Sequence, residues 1–443
     1  MRGRLWAWLL VALGLLPAWL VRARSAAPAP AAPAPPVIAV TAAPNSLDPA
    51  KGRNVAAALV DDNVFETLFR LTPDGRLVPG LAASATVSGR RVVVRIPARR
   101  LSDGRTVTAG TVGRALARAL WPGVGSPLAP LLLQDVAGAA RVASGQTRWI
   151  QGVTAPAADR LVIRLKQPDP TFLDRLANPA LAIVPVADMN AGGPYWTVTD
   201  LVGTGPYRLA ATTPAARWTL ERVRGRGPAS VSVMRYPDWT TALLGFANGE
   251  VAAVPVPWSE VGQIPAGLRR DLRVLPTGGR LQLVVARHPG DPWATPGSLA
   301  GVMPAGGLAA VVRTAFAGTV SVGSGARLAP TAGAAPVVRA PLRLAVEADQ
   351  PMAVRLAQVW ARQAHGRLVV TPLGAAALQA AIRQGTVDAA VLVSSPDGPP
   401  VWPATVPATR RTLAAAGAPW LVRPEAPRLT AFPDGSLDLS SWR

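Results

Sequence analysis

LVGTGPYRL (201–209) is the stretch on which the reading of this chain turns. Two glycines bracket a threonine, a proline follows, and Tyr207 opens an apolar run. The segment reads as a tight turn that enters a strand. Glycine admits backbone angles closed to other residues. Pro206 fixes its own φ and restricts Gly205. The expectation is therefore that Gly203 and Gly205 supply unusual backbone angles, and that replacing either by valine lowers folding yield.

Downstream, YRLA and WTLERV predict a hairpin through TTPAA, and TTALLGFANG predicts a helix closed by Gly249. The strand VAAVPV follows. Upstream, PVIAV (36–40), VVVRI (92–96) and LVIRL (161–165) predict strands. The apolar positions Val55, Leu59, Val64, Phe65, Leu68 and Phe69 predict one helix running from Asn54 to Leu71. Thr108 caps a helix to Leu120, and Asp169 caps another with Pro170 at its first position. In the last third, LRLAV (342–346), Met352–Ala364, RLVVTP, Ala375–Gln384 and DAAVLV (388–393) alternate as β-α-β-α-β. That order implies parallel strands with crossover helices.

The chain has 443 residues, enough for two or three lobes, and 49% of them are hydrophobic. It has no cysteine, which excludes disulfides, thiolate metal sites and a cysteine nucleophile. The net charge is +21, carried almost wholly by dispersed arginines. No nucleic-acid motif accompanies them, so no nucleic-acid partner is expected. Residues 1–36 form a separate piece. MRGR, the apolar run Leu5–Val21 and an Ala/Pro linker have the layout of a secretory signal. As a helix the run would span about 26 Å, close to a bilayer core, so a cleaved signal and a retained anchor both stand.

Seven stretches in order carry a resemblance. They are PNSLDPA (44–50), VFETLFRLTPDGRLVPGLAASATVSG (64–89), LSDGRTVTAGTV (101–112), residues 153–185, LVGTGPYRL (201–209), WTLERV (218–223) and ANGEV (247–251). Together they resemble the extracellular solute-binding proteins of ABC importers, in family 5, which takes peptides and nickel. The resemblance implies an α/β, two-lobed periplasmic-binding-protein-like fold of type II. It implies a first lobe over 37–265 with an inserted subdomain at about 51–179, a shortened second lobe over 266–415, and a tail, 416–443, that returns to the first lobe. It also implies a monomer outside the cytoplasmic membrane, secreted or held by its N-terminal helix. That monomer would capture a peptide or similar small solute by hinge closure and present it to an ABC permease. In this family GTGPY is a structural signature.

The chain departs from the pattern. Gly110 and Thr111 stand where acidic residues usually complement a helix start. Arg287 and His288 stand near a usual asparagine. Prolines and glycines at 296–307 predict that the long helix there is broken or missing. These departures keep open an alternative, a degenerate member acting as a membrane-associated scaffold with no transported ligand.

No catalytic arrangement is legible, and no enzyme activity, cofactor or metal site is expected. His288 and His365, the only histidines, lack ligand spacing. Glu66 and Asp103 read as structural. The ligand-binding candidates are Asp397, in a segment that can meet a peptide's amino terminus, Trp402 and Trp293, whose rings can sandwich a side chain, and Arg287. Trp258 is a further cleft tryptophan; core or hinge packing is the rival reading for all three tryptophans, and a turn role the rival for Asp397.

Overall fold

The computed structural model describes residues 34–442 except 52–53, 73–75, 187–200, 214, 287–298, 300–301, 303–306, 321, 323–340, 349, 395–407, 425–428 and 432–436. Strand β1 (Val37–Val40) leads through the PNSLDP turn to helix α1 (Val55–Val64). The Asn54 side chain caps that helix by accepting from Ala57 N. The helix ends at Val64, shorter than its apolar spacing suggests, because Phe65 is extended. Phe69–Leu71 is instead a strand paired with Leu77–Pro79. Phe69 and Leu68 are apolar because they pack in the core of the inserted subdomain.

That subdomain contains strands β2 (Ser84–Ser88) and β3 (Arg91–Arg95), helix α2 (Ala109–Leu120), and strands β4 (Val153–Ala157) and β5 (Arg160–Arg164). Its sheet has the order β2-β3-β5-β4 and is antiparallel throughout. Val92, Val94, Leu161 and Ile163 point inward against Val112 and Leu116 of α2. The missing acidic residues at the start of α2 are compensated locally. Thr108 Oγ1 accepts from Thr111 N at 3.2 Å, and Thr111 Oγ1 accepts from Thr108 N at 3.3 Å. Two orphan amides are satisfied without a carboxylate. Asp169 is not a helix cap. Its carboxylate accepts from Thr171 N and pairs with Arg175, and the short helix begins at Phe172.

The main sheet takes β6 (Tyr207–Thr213), β7 (Arg217–Arg222) and β8 (Ser230–Arg235), then helix α3 (Trp239–Asn248) and β9 (Ala253–Pro255). Gly249 closes α3 at φ 87°. Strand β10 (Leu272–Ala286) follows, then helix α4 (Gly307–Ala315), β11 (Leu342–Glu347), α5 (Pro351–Gln363), β12 (Leu368–Leu373), α6 (Ala375–Arg383), β13 (Ala389–Ser394) and β14 (Ala408–Val422). The ten strands run β6-β7-β8-β1-β9-β14-β10-β13-β11-β12. Strand β1 is parallel to β8 and β9, and β11 is parallel to β12 and β13. The predicted β-α-β-α-β unit is therefore present. In the region of the helix expected to be broken or missing, α4 contributes nine described residues; residues 303–306 before it lie outside the described residues.

The GTGPY turn has a different physical basis from the one its glycines suggest. Neither Gly203 nor Gly205 has a positive φ. Both lie against the last turn of α1. A Cβ on Gly203 would sit 1.9 Å from the Val64 carbonyl oxygen, and one on Gly205 would sit 2.3 Å from the Asn63 carbonyl oxygen. Gly205 N donates to the Val64 carbonyl at 2.7 Å, and Ser102 N donates to the Gly203 carbonyl at 2.9 Å. The turn thus ties α1 to the inserted subdomain by backbone contact.

Tyr207 completes the seal. It is 1% exposed, and its hydroxyl donates to the Pro228 carbonyl at 3.0 Å, with the Leu439 carbonyl at 3.4 Å. Burial pushes its pKa up to about 12, against a smaller opposing pull from Arg222. The unfolded chain ionises near pH 10, so the folded form loses stability only as pH rises from there toward 12. The loss reaches about 2 to 3 kcal/mol. Unfolding midpoints measured from pH 9 to 12 should fall more steeply for the native chain than for Tyr207→Phe.

Asn63 closes the first lobe from its other side. Its amide donates to the Leu437 carbonyl at 2.8 Å and accepts from Leu439 N at 2.9 Å, both within a buried contact.

Candidate functional site

Strands β10 and β14 join the two halves of the sheet. Each has fifteen residues, and they pair antiparallel along most of their length. Leu272–Pro276 pairs with Gly417–Leu421, next to β9. Arg280–Ala286 pairs with Ala408–Ala415, next to β13. Between the two blocks the register slips. Residues 277–279 of β10 oppose only Ala416 of β14. Such a bulge breaks ladder bonds and bends the sheet. Gly417 is required beside it, because a Cβ there would lie 2.7 Å from Val274 Cγ1.

The register fixes which edge of the second half faces the bulge. Arg280 pairs with Ser394, the last residue of β13, and Ala389 lies against Val285 at the far end. The parallel strands β11 and β13 therefore bring their carboxyl ends, Glu347 and Ser394, to the bulge side. Ligands of open α/β sheets bind outside such carboxyl ends. Segment 395–407 departs from that side, and segment 287–298 departs from the opposite end, after Ala286. Asp397, Trp402, Arg287 and Trp293 lie in these two segments, outside the described residues. His288 lies outside them too. His365 sits in a turn at φ 47°.

Trp258 is placed by the structure, in the core. It is 7% exposed, and its ring meets Phe316 edge-on with centroids 4.7 Å apart. One apolar cluster contains this pair, Phe246 and Val254 from one half, and Leu344 and Val346 from the other.

The insert meets the first lobe through charge. Arg118 of α2 and Asp48 of the PNSLDP turn form a two-pronged pair at 3.0 and 2.5 Å, with side chains 3% and 11% exposed. Glu66 accepts from Arg99 at 3.1 Å and from Arg224 at 2.9 Å. Burial is the main effect on the Arg224 guanidinium and lowers its pKa; Glu66 acts against that. Beside Glu66 lies a pocket of about 50 Å³, bordered by Asp62, Phe65, Arg70, Pro179 and Asp438. It has room for about one or two water molecules, not for a peptide. Glu66 and Asp103 are structural, as their sequence context suggests. Asp103 pairs with Arg105 and accepts from its backbone amide at 3.0 Å. Sequence reasoning did not find the Arg118–Asp48 clamp or strand β14.

Residues 76–286 match the model of the bacterial extracellular solute-binding proteins, family 5 middle region. The chain is also similar over 92% of its length to MppA, the periplasmic murein tripeptide-binding protein in its unliganded open form. That structure is covered to 95%, with a TM-score of 0.63 and 16% identity. Over residues 76–286, just under half of its length, the chain is similar to the family 5 extracellular solute-binding proteins. Its fold is the two-lobed α/β fold of periplasmic binding proteins, with β10 and β14 as the crossing strands. Among curated proteins of Escherichia coli K12, it is 27% identical over 280 residues to the probable deoxycholate-binding periplasmic protein YgiS, covering 58% of this chain and 52% of that protein. It is 32% identical over 171 residues to the periplasmic murein peptide-binding protein MppA, covering 38% and 32%. The chain spans about half or less of the length of these curated relatives.

Proposed function

We propose that this chain is the extracytoplasmic solute-binding component of an ABC importer. It captures a peptide or similar small solute between its lobes and presents it to a permease. The observation that carries this reading is the pair of fifteen-residue strands with a three-against-one slip where the sheet passes between halves. A slip confined to two strands is a place where the lobes can change their angle while each keeps its own ladder. A solute that touches both lobes then favours the closed state by its differential affinity. We place the first lobe at 37–265, with α1 in its own core and the insert running from after α1 to about 179, the second lobe at 266–415, and the returning tail at 416–443. The reading gives Asp397 the peptide amine and Trp402 a side-chain contact, and for Trp293 to make a second side-chain contact and Arg287 to meet an anionic group, segment 287–298 must return toward the bulge side. Relatives named for peptide and for deoxycholate binding support a small organic solute and leave its class to experiment.

Native mass spectrometry of the protein from its host tests the proposal. A co-purified solute released on denaturation is the expected result. Titration calorimetry with di- to pentapeptides and with deoxycholate then identifies the class. Peptide binding is expected to be weaker than in members that keep the usual second-lobe pattern, because Arg287 and His288 replace its asparagine and Pro296, Gly301, Pro304, Gly306 and Gly307 interrupt its helix sequence, and Asp397→Ala should weaken it further. No solute and no heat with either set would favour the scaffold reading.

A further inference from the structure

We infer that the outer face of the insert's four-stranded sheet is a docking surface for an anionic lipid bilayer. Three cross-strand rows make up this face. Ser84, Arg95 and Arg160 form one; Thr86, Val93, Val162 and Thr154 form the second; Ser88, Arg91 and Arg164 form the third. Arg95 stands directly opposite Arg160, and Arg91 directly opposite Arg164. All four arginines are exposed, as are the four hydroxyl residues. No carboxylate belongs to any of the three rows. Among the described residues Arg91, Arg160 and Arg164 form no ion pair. Arg95 reaches only Asp159, at 3.9 Å, with side chains 71% and 56% exposed.

Like charges directly opposite on a sheet oppose folding. Two such pairs on one face therefore add nothing to the stability of the insert, and they are relieved when anions settle on them. Guanidinium groups bind phosphate oxygens in a two-pronged manner, and hydroxyls add donors between them. The face is a sheet surface with repeating rows and no pocket, so it reads charge density rather than the shape of one ligand. The chain itself points to a bilayer as the source of that charge. Its net charge is +21, and its first residues pair Arg2 and Arg4 with the apolar run Leu5–Val21. Each exposed arginine near an anionic leaflet contributes roughly fivefold to partitioning at moderate salt. This role goes beyond solute capture and does not depend on it.

Flotation of the full chain with vesicles of phosphatidylcholine alone and with added phosphatidylglycerol tests the assignment. The ratio between the two vesicle types isolates the charge-dependent part from any insertion by residues 5–21. The double variant Arg91→Gln/Arg164→Gln should lower that ratio about tenfold or more. Its unfolding midpoint should be unchanged or raised, since a like-charge pair is removed. The control Arg362→Gln/Arg383→Gln removes the same net charge from exposed positions of the second lobe. It should change the ratio by less than about twofold. Equal losses in the two variants would overturn the assignment, because net charge alone would explain them. A native chain that partitions equally onto both vesicle types would also overturn it. So would a face whose arginines matter only for retention on an acidic protein or soluble polyanion. Solute release in native mass spectrometry is an independent readout, so failure of either proposal is distinguishable from failure of the other.

Discussion

Gly203→Ala should leave almost no folded protein. One added methyl group would lie 1.9 Å from the Val64 carbonyl oxygen and 2.8 Å from its carbon. The obstacle is backbone at the end of α1, so no side-chain rotation relieves it. The turn or the helix end has to move, and each is fixed. Gly205 N bonds to Val64, and Ser102 N bonds to Gly203. Ordinary overpacking costs about 1 to 3 kcal/mol. A backbone collision at a seam between two cores belongs above that, at roughly 4 kcal/mol or more. Alanine is the informative substitution because Gly203 has no positive φ. Its backbone angle alone would admit alanine, so a loss on substitution reports the collision. Soluble yield and the unfolding midpoint of Gly203→Ala check the point, and near-native values for both would show that the seam can open.

Arg118→Ala should destabilise the chain by about 3 to 5 kcal/mol. The Asp48 carboxylate is 11% exposed and loses both prongs of its partner, keeping its bond from Ala50 N. An unpaired buried charge is the main source of the loss. Asp48→Ala should be comparable, because it strands a guanidinium that is 3% exposed. The double replacement Arg118→Met/Asp48→Leu should recover most of the stability, since no buried charge is then left alone. Chemical denaturation of the native chain, Arg118→Met, Asp48→Leu and the double variant closes the cycle. Additive losses in the double variant would show that the pair does not act as a unit.

The alternation of strands and helices was legible because each element carries its own period. Val37–Val40, the Tyr207 hairpin and the β11–β13 unit stand close to where their apolar spacing puts them. The end of α1 was not legible, because Phe65, Leu68 and Phe69 continue a helical spacing while serving other contacts. Strand β14 was hidden for the opposite reason. ATRRTLAAAGAPWLV has no period of two, and its small residues are inward only because β10 lies beside them. The position of GTGPY was legible, but its cause was not. A close approach between segments 140 residues apart leaves no local mark. Arg118 and Asp48 looked like an ordinary helix arginine and a turn aspartate, since only the folded chain brings them together. For the ligand-binding candidates, the structure adds the two ends of the sheet from which their segments depart.

Asn63 has a consequence for the order in which the molecule can be made. Its amide donates to the Leu437 carbonyl and accepts from Leu439 N, and the Tyr207 hydroxyl reaches the Leu439 carbonyl. Strand β9 likewise waits for β14 to cover its edge. Contacts of such long separation form late. A nascent polypeptide emerging from the ribosome therefore carries an N-terminal lobe that cannot latch until residues 437–439 have followed it out. Until that clasp arrives, the first lobe is held only by its more local contacts.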